Sequence, residues 1–254
     1  MPESRKSRIT SAFDGAQAYD ANARIQLVVA NRLAGRLAGL PIDHELPALE
    51  IGCGTGFLSE ALLEAFPDLA LTLSDIAPSM VDRARARLGK RPGLSYAVVD
   101  GEHPGVPPAG GWGLIASSLA FQWFEHPGGA IARMVATLAP GGWLGFSTLG
   151  AGSFAEWTSA LAEAGLSGLT RAYPDADALR DLCPSGTEVA IETYHLSEAH
   201  ADGLAFLRGL RAIGAATPWE GKGSPARLRH AIARFEAGGA AVGYEIAEVF
   251  VRKL

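Results

Sequence analysis

The sequence has 254 residues, of which 48% are hydrophobic, and it carries a formal net charge of -5 at pH 7. A chain of this size buries about three quarters of the surface of its unfolded state, which is enough for one sizeable core. The acidic balance excludes a general attraction to nucleic acid or to a membrane surface, so an acidic partner has to be met by a local basic patch.

The absence of membrane-targeting segments and the small number of cysteines exclude further classes of protein. No apolar run reaches membrane-spanning length and no hydrophobic segment resembles that of a signal peptide, which predicts a cytoplasmic protein. The two cysteines, Cys53 and Cys183, are too few for a disulfide framework, and no Cys/His spacing matches a zinc site. We interpret both as structural thiols and expect no bound metal.

Residues 1–8 are polar and basic and fit a frayed terminus, whereas residues 9–40 show helical periodicity, with apolar side chains at Phe13, Ala16 and Tyr19 and a second apolar stripe from Ile25 to Leu37. In a doubly wound sheet, a helical segment before the first strand is able to fold over the carboxyl ends of the strands. We therefore expect residues 1–40 to form a helical lid.

The chain is organised around Leu49-Glu50-Ile51-Gly52-Cys53-Gly54-Thr55-Gly56-Phe57-Leu58, which predicts a strand, a tight loop and a helix. The glycines permit positive φ and remove the Cβ atoms that would keep a ligand off the backbone. Their G-x-G-x-G spacing differs from the G-x-G-x-x-G of a dinucleotide site, and the acidic Glu50 would repel a pyrophosphate. The pattern favours S-adenosylmethionine, which carries an amino group and a sulfonium charge, over a nicotinamide dinucleotide.

Acidic residues end the next two predicted strands. Asp75, followed by Ile76, lies where a doubly wound sheet places the carboxylate that accepts from ribose hydroxyls. Asp100-Gly101 ends the third strand, where a carboxylate is able to accept from an adenine amino group. Each acid alone also fits a helix N-cap or a turn. It is the ordered set of glycines and acids that favours a ligand site.

Strands and helices alternate after residue 47, which predicts an α/β fold: a single doubly wound, Rossmann-like sheet of seven mostly parallel strands with helical insertions. The first predicted strand begins at Leu49, and the other six span 71–75, 94–99, 114–118, 143–148, 189–194 and 244–251. The last of these is able to pair antiparallel. The predicted helices after the lid span 57–66, 78–89, 204–213 and 225–236, with an irregular helical region at 151–185. We expect one domain over 1–254, with the lid at 1–40, a cofactor-binding half at 47–150 and a substrate and cap half at 151–254.

These strands, the glycine loop and the acids together resemble the class I S-adenosylmethionine-dependent methyltransferases from Leu49 to Thr148. More specific motifs follow over nearly the whole chain: Ala12-Phe13, Tyr19-Asp20, Gln26, Ser117-Ser118-Leu119-Ala120-Phe121-Gln122-Trp123, Ser147-Thr148-Leu149-Gly150, Leu207-Arg208-Gly209-Leu210-Arg211-Ala212-Ile213-Gly214-Ala215 and Tyr244-Glu245. In this order they are similar to the malonyl-acyl-carrier-protein O-methyltransferases of biotin synthesis.

The resemblance implies methyl transfer from S-adenosylmethionine to the free carboxylate of a malonyl thioester, carried by acyl carrier protein or coenzyme A. A carboxylate is ionised at neutral pH, so the reaction needs alignment and exclusion of water rather than a general base. We expect Tyr19 over the methyl group and Gln122 with Trp123 at the acceptor site, although Tyr19 also fits a buried helix contact and Trp123 a wall of the sheet. The expected cofactor contacts are Glu50, Gly52, Gly54, Gly56, Asp75, Ile76, Met80, Asp100, Gly101 and Ser117, of which Met80 equally fits core filling.

An arginine is the expected partner of the substrate carboxylate, because its planar fork matches two carboxylate oxygens. Arg208 and Arg211 are three residues apart and share a helix face, and Arg211 is the candidate to reach inward. Both also fit solvated surface positions. A basic patch for an acidic carrier protein is a further hypothesis, with Arg208, Lys222, Arg227 and Arg229 as its members.

Two alternatives remain open at this stage. One is a methyltransferase for another small carboxylate or for a quinone precursor, and the other is a cofactor-binding scaffold without activity. We interpret His195, His200 and His230 as structural, since none follows a strand of the glycine-loop half. Nucleic acid and membrane are not expected partners, and the oligomeric state stays open, with a monomer favoured.

Overall fold

The computed structural model describes residues 5–14, 20, 23–166, 171–213 and 224–254. Within them, seven strands form one sheet in the order β3-β2-β1-β4-β5-β7-β6. In chain order the strands are β1 (Ala48–Ile51), β2 (Leu71–Asp75), β3 (Leu94–Val98), β4 (Trp112–Ser118), β5 (Leu138–Leu149), β6 (Thr187–Ala199) and β7 (Ala241–Lys253).

The pairing confirms the predicted α/β class and the mostly parallel sheet. Strands β1 to β5 pair in parallel, and β7 is antiparallel to both β5 and β6. The chain proceeds outward from β1 to β3 and then returns to place β4 on the other side of β1. At this reversal the connections leave the sheet in opposite directions and open a crevice beyond the carboxyl ends of β1 and β4.

Helices connect and cover the strands. They are α1 (Arg5–Asp14), α2 (Arg24–Ala38), α3 (Phe57–Ala65), α4 (Pro78–Leu88), α5 (Pro127–Thr137), α6 (Ala155–Glu163), α7 (Ala176–Asp181), α8 (Gly203–Ala212) and α9 (Pro225–Ala237), with a short 3-10 turn at Phe121–Trp123. Proline occupies the first turn of α4, α5 and α9, where its missing N–H costs no hydrogen bond. In the described part of the chain, no helix is long and apolar enough to cross a membrane.

Apolar side chains cover both faces of the parallel half of the sheet. Leu33 of α2 and Leu62 of α3 belong to the layer on one face, and Ile131 of α5 belongs to the layer on the other. Successive residues of β1 alternate between the layers, so Ala48 joins the first and Leu49 the second. A third cluster packs α6, α8 and α9 against β7, and edge contacts of the Trp157 ring with Phe206 and Phe235 join the three helices.

Several boundaries differ from the sequence prediction. The N-terminal segment is not one continuous helix, because Ala23 is not helical and α2 begins at Arg24. Strand β5 begins at Leu138 and not at residue 143, because residues 139–142 form a bulge that shifts its register with β4. Strands β6 and β7 are longer than predicted because they pair over their whole lengths, which extends both beyond their apolar centres.

Candidate donor-binding site

A cavity lies at the carboxyl ends of β1, β2 and β4, where the strand order reverses. Its volume is about 720 Å³ when the open space at its mouth is included. Residues of the loops after β1 to β4 form its wall, and Lys6, Ile9 and Phe13 of α1 line it from the N-terminal side. The N-terminal segment predicted as a lid therefore contributes one wall through α1.

The glycine loop between β1 and α3 forms the floor of the cavity. Gly52 and Gly54 both line it, with φ of +69° and +53°. A Cβ at Gly52 would lie 2.6 Å from the Cβ of Ala120, which leaves no space for a side chain. Asp75 holds this loop, because its carboxylate accepts from the N–H of Gly54 at 3.0 Å and from the N–H of Ala77 at 2.9 Å.

Three charged side chains meet at the end of the cavity formed after β3. Lys6 Nζ donates to Asp100 Oδ2 at 2.6 Å and is 2.6 Å from Glu102 Oε2. Burial alone would raise the pKa of Glu102, but bonds from the Lys6 ammonium and from the backbone N–H groups of His126 and Glu125 lower it below the usual value. The Lys6 pKa is raised because its bonds to the two carboxylates outweigh its partial burial.

The loop after β4 forms the opposite wall and contains a strained residue. Leu119 lines the cavity with a φ of +50°, which a non-glycine residue adopts only when its surroundings impose it. Its N–H donates to Ser147 Oγ and to the Ser147 carbonyl, both at 3.1 Å, and its carbonyl accepts from Gln122 Nε2 at 2.6 Å. Gln122 therefore contacts the backbone of this loop, while its neighbour Trp123 lines the cavity.

Most of the predicted cofactor contacts lie together in this cavity. Gly52, Gly54, Asp75, Ile76, Met80, Asp100 and Gly101 all line it. Met80 is also almost fully buried in a small cluster with Ala77, against which Phe13 packs. The structure thus brings into one cavity residues that are up to 49 positions apart in the sequence.

Three other predicted contacts are placed outside the cavity wall. Glu50 points beneath the loop toward α3, where the Ser59 hydroxyl donates to its Oε2. Gly56 caps α3 and faces α4, whose nearest atoms are about 3.5 Å from the position of its missing Cβ. Ser117 donates to the Ile51 carbonyl at 2.8 Å and so joins β4 to β1. These placements differ from the expected direct contacts, because the side chains of Glu50 and Ser117 bond within the protein interior and Gly56 packs against α4.

The residues predicted to take part in transfer are not all brought together. Tyr19 lies outside the described residues. Arg211 is in the last turn of α8 with its side chain exposed, next to residues 214–223, which the structure does not describe. Gln122 contacts the loop backbone as described above. Trp123 lines the cavity and meets Phe13 of α1 edge to face, with ring centroids 5.5 Å apart.

Several lining residues were not predicted from the sequence. They are Lys6, Ile9, Val99, Glu102, Ser118, Leu119, Ala120 and Phe124. The lining residues after β3 and β4 follow predicted strand ends, so the sequence predicts that these loops lie near the site. It does not predict which of their side chains point into the cavity. Lys6 carried no such signal, since a lysine near the N-terminus of a chain is most simply a solvated residue.

Comparison with known proteins identifies the family. A model of the methyltransferase domain matches residues 49–144. A malonyl-[acyl-carrier protein] O-methyltransferase of Magnetococcus marinus is 39% identical over 215 residues, which cover 84% of this chain and 79% of that protein. The chain belongs to this methyltransferase family. The biotin biosynthesis bifunctional protein BioCD of Bordetella avium is 40% identical over 243 residues, covering 94% of this chain and 51% of that protein.

Solved structures agree with the fold of this family. A phosphoethanolamine N-methyltransferase 2 of Haemonchus contortus, solved with S-adenosylhomocysteine, superposes with a TM-score of 0.62 at 14% identity, covering 98% of this chain and 60% of that one. At this identity the likeness supports the class I methyltransferase fold and nothing finer. Among the described residues, no group of three or more His, Cys, Asp or Glu side chains is arranged to hold a metal ion.

The close approach of Gly52 to Ala120 predicts that Gly52→Ala weakens donor binding. The added methyl collides with Ala120, so the loop has to move into the cavity. We expect the affinity for S-adenosylhomocysteine, measured by calorimetry, to fall by more than about tenfold. Gly105→Ala is the matched control, because Gly105 also has positive φ but no atom within 4 Å of the added Cβ. The double variant with Ala120→Gly should regain part of the affinity, and no recovery would argue against the collision.

Burial of Glu50 predicts a pH-dependent stability. Burial, together with the nearby Asp75 carboxylate, raises the pKa of Glu50 to about 8. From the ordinary value up to that pKa the folded state holds a proton that the unfolded state has lost, so the free energy of unfolding falls with rising pH, by up to about 1.4 kcal/mol per pH unit. We expect Glu50→Gln to remove this component in urea titrations between pH 5 and pH 8. Glu64→Gln, at an exposed position on α3, is the control, and an identical slope in both variants would contradict the assignment.

Proposed function

We propose that the protein transfers a methyl group from S-adenosylmethionine to the free carboxylate of a malonyl thioester, with acyl carrier protein as the carrier, in the early steps of biotin synthesis. The observation that carries this proposal is the convergence of Gly52, Asp75 and Asp100 on one cavity, in a chain whose family bears this activity in its name. The cytoplasm is the compartment we expect, and a monomer is the expected form.

The donor half of the cavity supports S-adenosylmethionine. Gly52 and Gly54 present backbone without side chains, so a ligand is able to lie directly against the loop. Asp75 would accept from the ribose hydroxyls and Asp100 from the adenine amino group. Met80 and Ile76 offer apolar surface for a flat ring. In this proposal three residues beneath the glycine loop hold the loop and the strands in place without contacting the donor: Glu50, Gly56 and Ser117.

The donor supplies a methyl group bonded to a positively charged sulfur. The protein has to align the substrate carboxylate behind that methyl group and keep water away. Well-oriented reactants gain roughly 7–11 kcal/mol from alignment alone. Trp123 and Phe13 both line the cavity and pack edge to face, and in this proposal their rings exclude water. Because an ionised carboxylate is already nucleophilic, this arrangement requires no base, and we assign none.

For the acceptor carboxylate we keep Arg211 as the proposed partner. Its exposed guanidinium is in the last turn of α8, at the border of residues 214–223. Its side chain would have to turn toward the cavity when the substrate enters. Gln122 is proposed to act indirectly, since its amide fixes the Leu119 carbonyl and thereby the wall on which the acceptor would lie. Tyr19 remains a proposed lid residue over the methyl group.

The experiment that tests the proposal compares three acceptors: malonyl-carrier protein, malonyl-coenzyme A and free malonate, each with labelled S-adenosylmethionine. We expect a base-labile methyl ester on the thioesters, with the carrier-linked substrate having the highest kcat/KM. Transfer to another small carboxylate or to a quinone precursor instead would support methyltransferase activity but contradict the proposed acceptor. Donor binding without transfer to any acceptor would favour a scaffold.

The basic patch expected from the sequence is the proposed surface for the carrier; of its members, Lys222 lies outside the described residues. Arg208 and Arg229 are exposed on α8 and α9, two helices that contact each other. Carrier recognition through these charges predicts that the double reversal Arg208→Glu with Arg229→Glu lowers kcat/KM for the carrier-linked substrate by about tenfold or more. The same variant should leave kcat/KM for malonyl-coenzyme A nearly unchanged. Equal losses of kcat/KM on both substrates would indicate damage to the active site. Unchanged kcat/KM on both would contradict a role of these arginines in carrier recognition.

A further inference from the structure

Helix α1 forms a wall of the donor cavity but is weakly attached to the rest of the protein. None of its described side chains is buried, whereas α2 buries six: Ile25, Val29, Ala30, Leu33, Ala34 and Leu37. The contacts of α1 include those of Ile9 and Phe13 at the cavity, the packing of Phe13 against Met80 of α4, and the ion pairs of Lys6. An element with so little buried apolar surface opens more readily than the core, so each remaining contact has a large effect on its position.

Lys6 connects α1 to a fixed part of the protein. Its ammonium is 2.6 Å from a carboxylate oxygen of both Asp100 and Glu102. Glu102 is itself immobilised: its side chain is only 2% exposed, its Oε1 accepts from the His126 N–H at 2.6 Å, and its carbonyl accepts from Arg133 Nε at 2.6 Å. The lysine therefore joins a loosely packed helix to a residue held by α5 and the segment before it.

The same lysine is placed at the end of the cavity that we assign to the adenine. Asp100 Oδ1 accepts from the Glu102 N–H at 3.0 Å, and Asp100 Oδ2 accepts from Lys6. A carboxylate oxygen has two lone pairs, so Oδ2 is able to accept from a second donor such as the adenine amino group. One ammonium shared by two carboxylates also keeps the lysine near Glu102 when Asp100 engages a ligand.

We propose that Lys6 is a positioning residue that holds α1 closed over the adenine end of the donor site and thereby slows the release of the donor. The inference rests on the proposed function in taking S-adenosylmethionine as the donor, and it is independent of the acceptor. The lysine touches neither the methyl group nor the acceptor in this account, so its effect should appear in donor affinity and leave the rate of transfer at saturating donor nearly unchanged.

The test measures binding and release of S-adenosylhomocysteine in Lys6→Met, Lys6→Arg and the unaltered protein by calorimetry and stopped flow. We expect Lys6→Met to raise the dissociation rate by about five- to tenfold, with a parallel rise in KM for S-adenosylmethionine and little change in kcat. Lys6→Arg keeps the charge and should recover most of the affinity. The difference should shrink at about 1 M salt, since partly exposed ion pairs are screened. Lys90→Met, at an exposed site after α4, is the matched control.

Hydrogen exchange of the protein without ligand provides an independent readout. If Lys6 holds α1, residues 5–14 exchange faster in Lys6→Met than in the unaltered protein or in Lys90→Met. Unchanged exchange together with an unchanged release rate overturns the inference. Tighter binding in Lys6→Met also overturns it, because the lysine would then be competing with the adenine. Absence of S-adenosylhomocysteine binding in the unaltered protein would contradict the proposed donor, while the exchange comparison would still decide whether Lys6 holds the helix.

Discussion

The site depends on the carboxylate of Asp75 more than on any other side chain. Its two oxygens accept from the N–H groups of Gly54 and Ala77, so one residue at the end of β2 fixes both the glycine loop and the entry into α4. With these two segments fixed, the floor of the cavity and the apolar side chain of Met80 have defined positions. The same carboxylate is proposed to bind ribose, so the residue that shapes the site also belongs to its contact surface.

A second constraint is the close approach of two loops at the point where the strand order reverses. Strands β1 and β4 are adjacent, and Ser117 joins them by donating to the Ile51 carbonyl. Just beyond, the backbone of Gly52 lies against Ala120, and Leu119 is held in a strained conformation by Ser147 and Gln122. Such strain persists only where the surroundings impose it, at a cost of about 1–3 kcal/mol. The glycine loop and the loop after β4 are therefore held directly against each other.

The sequence predicted this architecture well because glycine spacing and strand ends have direct physical meanings. It predicted individual side-chain directions less well. In β1, successive side chains alternate between faces, so Glu50 shares the α3 side with Ala48 and is buried beneath the loop it was expected to serve. The same alternation separates Ser117, which is buried, from Ser118, which lines the cavity. Lys6 was missed because its partners are 94 and 96 residues away, and only the tertiary fold brings α1 to them.

The charges of the cavity bear on the choice of acceptor. Among the described residues that line it, Asp75, Asp100 and Glu102 are acidic and Lys6 is the single basic residue. This excess of negative charge suits a donor with a sulfonium but repels an anionic acceptor. Free malonate carries two carboxylates at neutral pH, whereas a malonyl thioester carries one, because its other carboxyl group is an uncharged thioester. The thioester therefore meets the weaker repulsion, and its remaining carboxylate still needs a cation from outside the donor half, which is the role proposed for Arg211.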